Sequence, residues 1–344
     1  MASEDNLIRR IARGVPSTKG FRSGRMRNGI RLGIGDDAAV ISCDGKMDRV
    51  FTCDAFLEGI HFIAETYPAE SVGYKALVRA TSDLVAMGAT PKQFLLTLAI
   101  PANRQGRWLK SFLLGMRRAA KILKMELIGG DTTCCPSVFI SITAIGEVDQ
   151  GLAVMRAGAR PGDMLYVSGT LGRAQLGLEL MQNNPSAVPK DLLQPHLYPR
   201  IRLQLGSWLA HNRIASAMMD LSDGLSTDLA RLCESSGVGA RIFADHLPCV
   251  QLLRSGIRKL NHRELDPLQM ALNGGEDYEL LFAVPKRKQS LLKKAPGFKE
   301  LTEIGQVTSD KKIMLFDGKG KARPLRKGGW NPFRRAKTEA NRSR

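Results

Sequence analysis

The sequence predicts a two-domain α+β chain. Strand-like and helix-like patterns alternate along most of its length, and the turn signal Arg160-Pro161-Gly162-Asp163 restarts that alternation half-way. The 344 residues, at ~150 per domain, allow two units, each large enough to fold around its own core. The expected division is a basic segment (1–30), a first domain (31–150), a second domain (151–333) and a basic tail (334–344).

The elements follow in order. Leu7-Ile8-Arg9-Arg10-Ile11 is a short helical pattern. Val50-Phe51-Thr52 is an apolar run that ends in Asp54, a strand edge. Over 69–87, Leu77, Ala80, Leu84 and Met87 recur at helical spacing, and Gly88 and Pro91 stop the helix. Gln93 to Ile100 reads as a buried strand. Residues 104–124 form a second amphipathic helix, with Leu109, Phe112, Leu113, Met116, Ala120 and Leu123 on one face. Leu127-Ile128 leads into a Gly129-Gly130-Asp131 turn, and Val138 to Gly146 is a strand. The first unit is thus expected to be rich in βαβ crossovers.

In the second unit, Met164 to Ser168 is a strand. Residues 182–200, rich in Asn, Pro and Gln, read as a loop. Met218 to Leu221 is a strand, and Asp223, Gly224 and Ser226 open a helix that Gly237 closes. Tyr278 to Val284 is a strand, and 285–294 a solvated basic helix.

The net charge of +18 first suggests a polyanion binder. Residues 1–31 and 331–344 hold +10 of it, and aromatic residues are only 6% of the chain. A nucleic-acid groove would interleave basic with aromatic side chains. The six cysteines form no CxxC pair, so a reduced, cytoplasmic protein without a zinc ribbon is expected. No apolar run approaches ~18 residues, and the Arg-rich start lacks the apolar stretch of a secretory signal.

No GxxxxGK[ST] loop is present. Gly33-Ile34-Gly35-Asp36-Asp37-Ala38 fits GxGxxA, but two carboxylates in that turn would repel a pyrophosphate. The acids themselves are the stronger candidates. Asp37, Asp54, Asp83, Asp131, Asp220 and Asp223 come from separate loops or element ends, four of them beside Gly, Ser or Thr. Any one could be a helix cap or an Asx turn; Asp83, inside a helix, fits a cap worst. Together they suit several Mg²⁺ ions bridging carboxylates to substrate phosphates.

Six motifs then carry a resemblance: Gly33-Ile34-Gly35-Asp36-Asp37-Ala38-Ala39, Cys53 to Phe62, Ser82-Asp83-Leu84-Val85-Ala86-Met87-Gly88-Ala89, Gly129-Gly130-Asp131-Thr132-Thr133, Asp220-Leu221-Ser222-Asp223-Gly224-Leu225 and Gly274 to Leu280. In this order, over roughly residues 30–330, the chain resembles bacterial thiamine-monophosphate kinases, of the aminoimidazole ribonucleotide synthetase-like superfamily. The resemblance implies a first domain that binds ATP and Mg²⁺ and pairs across a homodimer. It implies direct in-line transfer from ATP to thiamine monophosphate, giving thiamine diphosphate, with no catalytic base.

By motif, Asp37, Asp54, Asp83, Asp131 and Asp220 match Mg²⁺ ligands, Asp223 a ligand of a further Mg²⁺, and Thr52 and Cys53 additional metal ligands. Gly130, Arg156 and Ser222 match nucleotide contacts, and His61, Glu276 and Trp330 substrate contacts. Tyr74 and Lys75 read as structural. The chain departs from the family at Cys53 and Ala55, where Thr is usual, and at Arg173, where Asp is frequent. The rival readings are another ATP-dependent enzyme of the superfamily, of the aminoimidazole ribonucleotide or selenophosphate synthetase type, and a basic nucleic-acid-binding protein.

Overall fold

The computed structural model describes residues 4–18, 29–43, 45–183, 189–252, 259–260 and 263–333. The basic tail 334–344 and residues 1–3 and 19–28 of the N-terminal basic segment lie outside the described residues.

In chain order the first half comprises α1 (Glu4–Gly14), β1 (Ile30–Leu32), β2 (Ala39–Ser42), β3 (Met47–Leu57), α2 (Ala69–Ala86), β4 (Thr90–Ile100), α3 (Arg107–Leu123), β5 (Glu126–Cys134) and β6 (Phe139–Asp149). The second half comprises β7 (Met164–Ser168), α4 (Arg173–Asn183), α5 (Lys190–Leu197), α6 (Leu203–His211), β8 (Ala217–Asp220), α7 (Leu225–Ser236), β9 (Gly239–Phe243), β10 (Lys259–Leu260), β11 (Arg263–Glu264), α8 (Pro267–Asn273), β12 (Leu280–Val284), β13 (Leu301–Thr308), β14 (Ile313–Phe316) and β15 (Ala322–Pro324).

The first sheet has the order β1-β2-β3-β6-β4-β5. Its pairs are antiparallel except β4–β5, which α3 joins by a crossover. The expected richness in βαβ units is therefore corrected to one such unit in a mostly antiparallel sheet. The second sheet runs β15-β14-β9-β13-β7-β12-β8, antiparallel except for β14–β9. Both sheets mix helices with mainly antiparallel strands, which is the expected α+β class.

Helix α2 is the shared beam. Leu77, Leu84 and Met87 join the core of the first sheet, with Phe112 of α3 and Ile140 and Ile142 of β6. Val85 and Ala86 pack instead with Leu205 and Leu209 of α6 and Met218 and Phe282 of the second sheet. Burial on two sides leaves most of α2 inaccessible, so its buried or half-buried charged residues, Lys75, Arg79 and Asp83, are informative.

Three local expectations are corrected. Gly129-Gly130-Asp131 is not a turn: it lies within β5. A Cβ at Gly130 (φ +150°) would meet the Leu96 carbonyl oxygen at 1.8 Å, so the glycine serves strand-to-strand approach. Residues 190–197 are a helix and not a loop, because Leu192, Leu193, His196 and Leu197 share one face despite Pro195. The basic stretch Lys286–Lys294 is a 3₁₀ helix, with Leu292 its buried residue.

Other boundaries follow the expected chemistry. Gly237, in the left-handed region (φ +69°), closes α7. Asp266 caps α8, its side chain accepting from the Leu268 and Gln269 amides. All six cysteines are free thiols. Among the described residues, no helix is long and apolar enough to cross a membrane.

Candidate active site

A cleft of about 1050 Å³ runs between the β3–α2 layer and the loops that follow β8 and α8. Every sequence-predicted site residue lines it except Gly130 and Asp131.

Strand and helix periodicity build one wall. On β3, Thr52, Asp54 and Phe56 alternate onto one face. On α2, Lys75, Arg79 and Asp83 recur every fourth residue. The two rows interlock: the Thr52 hydroxyl donates to Asp83 at 2.6 Å, and Arg79 donates two bonds to Asp54 at 2.6 and 3.1 Å. The Arg79 guanidinium also lies 5.1 Å from the Phe56 ring centroid. Cys53, on the opposite face of β3, has its Sγ 3.5 Å from Ser141 Oγ.

The second wall comes from element ends. Asp37 sits in the turn between β1 and β2, and Asp220 is the last residue of β8. Asp37, Asp83 and Asp220 each offer a carboxylate oxygen, and these atoms lie within 4.8 Å of one another. Asp37 and Asp220 are buried, yet Asp37 Oδ2 and Asp220 Oδ2 have no hydrogen-bond partner among the described residues. Burial, then the neighbouring Asp37, pushes the Asp220 carboxyl up to about 7. Burial, then Asp220, drives Asp83 well above its ordinary range. Three crowded carboxylates, two of them with an unpartnered oxygen, fit a divalent cation with oxygen ligands.

Cations flank the cluster. Arg156, between β6 and β7, donates to Asp37 Oδ1 at 2.5 and 3.0 Å. Its backbone N–H is held by Asp36. Arg231 of α7 pairs with Asp223 at 2.5 Å and Asp228 at 3.1 Å. Ser222 and Asp223 occupy the loop before α7, where the buried Asp228 accepts the Asp223 and Gly224 amides.

Trp330 is tied down by its backbone N–H, which donates to the Asp223 carbonyl at 3.0 Å. Its ring lies 5.5 Å from His61. His61 Nδ1 accepts the Leu57 amide at 3.0 Å, so the ring proton resides on Nε2. Burial and Arg79 lower its pKa to about 4, which keeps it neutral near pH 7. Glu276 lines the same cleft from a backbone position at φ +69°.

Gly130 and Asp131 stand apart, on β5, whose nine residues are all exposed. Within one chain they join neither the acid cluster nor the cleft.

The chain matches the family "AIR synthase related protein, N-terminal domain" over residues 35–148 and "AIR synthase related protein, C-terminal domain" over 160–318. The thiamine-monophosphate kinase of Aquifex aeolicus is 36% identical over 305 residues, covering 87% of this chain and 92% of that one. The thiamine-monophosphate kinase of Escherichia coli K12 is 37% identical over 313 residues, covering 88% and 92%. The chain belongs to the thiamine-monophosphate kinase family. Among solved structures, AaThiL complexed with AMPPCP and TMP superposes with a TM-score of 0.81 at 32% identity, covering 96% of each chain.

Other residues of this family member's cleft escaped sequence reasoning. Arg79 continues the charged stripe that Lys75 and Asp83 mark at every fourth residue of α2, a signal the sequence did contain. Arg231 follows the buried Asp228 by three residues on α7, a helical i,i+3 pair, and reaches the cleft beside Asp223. Tyr67 and His196 left no such trace, because their partners lie far away in the chain.

Proposed function

We propose that this chain catalyses ATP-dependent phosphorylation of thiamine monophosphate to thiamine diphosphate, in the cytoplasm. The observation that carries the reading is the convergence of Asp37, Asp83 and Asp220, with an unpartnered oxygen on Asp37 and on Asp220, in a cleft that also presents His61, Glu276 and Trp330.

Asp37, Asp83 and Asp220 would hold Mg²⁺, with Thr52, the Cys53 carbonyl and Asp54 beside them and Asp223 toward a further ion. Bound there, Mg²⁺ supplies charge neutralisation between two anionic phosphates that otherwise repel. Arg156 and Ser222 flank these acids and receive the nucleotide phosphates. Trp330 offers an indole face to a cationic heteroaromatic ring, the Nε2–H of His61 offers a donor, and Glu276 offers a negative charge. The acceptor phosphate is already ionised near neutral pH, so the side chains position and neutralise and no general base is needed.

The exposed β5 supports a homodimer. It is a nine-residue edge strand carrying Leu127 and Ile128, each more than half exposed. Long bare edges with apolar side chains invite a pairing partner. A second copy seated on β5 covers this face and places Gly130 and Asp131 at the interface. The basic ends stand outside this chemistry, and no nucleic acid is required by it.

The test is ADP release with Mg²⁺ and a panel of acceptors. Thiamine monophosphate supports release under this reading. Release only with an amide or selenide acceptor overturns it in favour of another superfamily activity.

A further inference from the structure

Glu276 does not stand alone in the cleft wall. Lys75 Nζ of α2 lies 2.8 Å from Glu276 Oε2, and His196 Nδ1 of α5 lies 3.2 Å from the same oxygen. The other ring nitrogen, His196 Nε2, lies 2.8 Å from the Tyr67 hydroxyl. Lys75 and His196 are each 1% exposed, and Tyr67 is buried.

The chemistry of these groups orients the chain of contacts. A carboxylate only accepts, so the tautomer that suits the 3.2 Å approach carries its proton on Nδ1 and lets Nε2 accept from Tyr67. Neither His196 Nδ1 nor Lys75 Nζ meets hydrogen-bond geometry with Glu276, and both contacts are close electrostatic pairings. Burial and the adjacent Lys75 lower the His196 pKa, in keeping with a neutral ring. Burial alone would raise Glu276, but Lys75 and His196 outweigh it and hold the carboxylate below its ordinary range. Both protein partners engage Oε2, while the Glu276 side chain remains 24% exposed and lines the cleft. The backbone amide of Glu276 donates to the Ser222 carbonyl at 2.8 Å, which fixes its positive-φ conformation.

These groups come from three separate parts of the chain: the segment before α2, α2 itself, and α5. A buried lysine that served packing alone would be a costly choice. Here its charge is spent on an acid that faces an open cleft with one oxygen to spare.

We infer that Tyr67, His196 and Lys75 are positioning residues that hold Glu276 as a fixed, ionised carboxylate, and that Glu276 thereby selects a cationic acceptor over a neutral one of the same shape. The inference rests on the thiamine monophosphate reading and extends it to charge selectivity. Tyr67 and His196 act through Glu276 and touch no reacting atom.

The experiment compares the full-length wild type with Tyr67→Phe, His196→Leu and His196→Asn. Two acceptors are used: thiamine monophosphate and its deaza analogue, in which a neutral ring replaces the thiazolium. Wild type turns over thiamine monophosphate with a much lower KM than the neutral analogue. His196→Leu raises KM for thiamine monophosphate about tenfold, the scale of one hydrogen bond to a charged group. The loss falls on that KM more than on kcat or on KM for ATP, and the preference for the cation shrinks. His196→Asn, which keeps a donor near Nδ1, recovers part of the loss. Tyr67→Phe, which removes one hydroxyl and is expected to fold, moves the same constants in the same direction by less. Unchanged KM and unchanged preference in folded Tyr67→Phe and His196→Leu overturn the inference and leave the reaction standing. Absence of wild-type turnover with thiamine monophosphate overturns the reaction itself.

Discussion

Replacing Asp220 by Asn separates stability from activity. Its carboxylate shares a 4.8 Å cluster with Asp37 and Asp83. Two unit charges at that distance, with an effective dielectric of ~20, repel by about 3.5 kcal/mol. Burial first, and this repulsion second, raise the Asp220 carboxyl from 3.8 to about 7, a penalty of about 4 kcal/mol once fully ionised. Because the folded value lies above the unfolded one, the penalty is absent below about pH 4, grows as pH rises, and is complete above about pH 7. Asn removes it and loses the contact with Ser82, worth about 1 kcal/mol. The metal-free variant is therefore expected to be more stable than wild type at pH 8 by roughly 2–3 kcal/mol, or roughly 5 °C in Tm. At pH 4.5 the difference nearly vanishes. Thermal denaturation in EDTA at the two pH values measures this. Added Mg²⁺ raises the wild-type Tm at pH 8 and leaves Asp220→Asn nearly unmoved, while turnover falls more than roughly 100-fold, as when an electrostatic stabiliser is lost. An Asp220→Asn protein no more stable than wild type in EDTA at pH 8, with the same Mg²⁺ response, refutes the reasoning.

Three further outcomes are expected. Arg156→Ala removes two bonds to Asp37 and raises KM for ATP by roughly 10- to 100-fold in steady-state assays, with little change in KM for thiamine monophosphate. Trp330→Ala, at an exposed site whose backbone tether remains, raises KM for thiamine monophosphate by roughly 5- to 30-fold, the range of a desolvated cation–π contact, without lowering Tm. Ile128→Asp places a charge on the exposed β5 edge, and sedimentation is expected to show a monomer where the wild type is a dimer.

Much of this site was legible in the sequence for a physical reason. Acids, glycines and serines at element ends have strong local signatures, and Asp37, Asp220, Ser222 and Asp223 all occupy such ends. Helix α2 was legible too, because its apolar spacing persists over five turns. The Gly129-Gly130 pair misled because glycine signals a turn locally, whereas here it admits the neighbouring strand β4. Helix α5 reads as a loop from its Asn, Pro and Gln composition, which outweighs the spacing of Leu192, Leu193 and His196. The groups around Glu276 are separated by up to 209 residues, from Tyr67 to Glu276. No pattern within one element encodes a contact of that range. The +18 charge proved uninformative about the cleft, whose arrangement turns on a few acids and the arginines that restrain them.

The central claim is tested most directly by following the γ-phosphoryl group. The purified protein, given γ-labelled ATP, Mg²⁺ and thiamine monophosphate, is expected to place the label in thiamine diphosphate, with ADP in equal amount, no labelled protein intermediate, and no transfer in EDTA. Label that appears only in inorganic phosphate, or in another acceptor while thiamine monophosphate stays unchanged, contradicts the account.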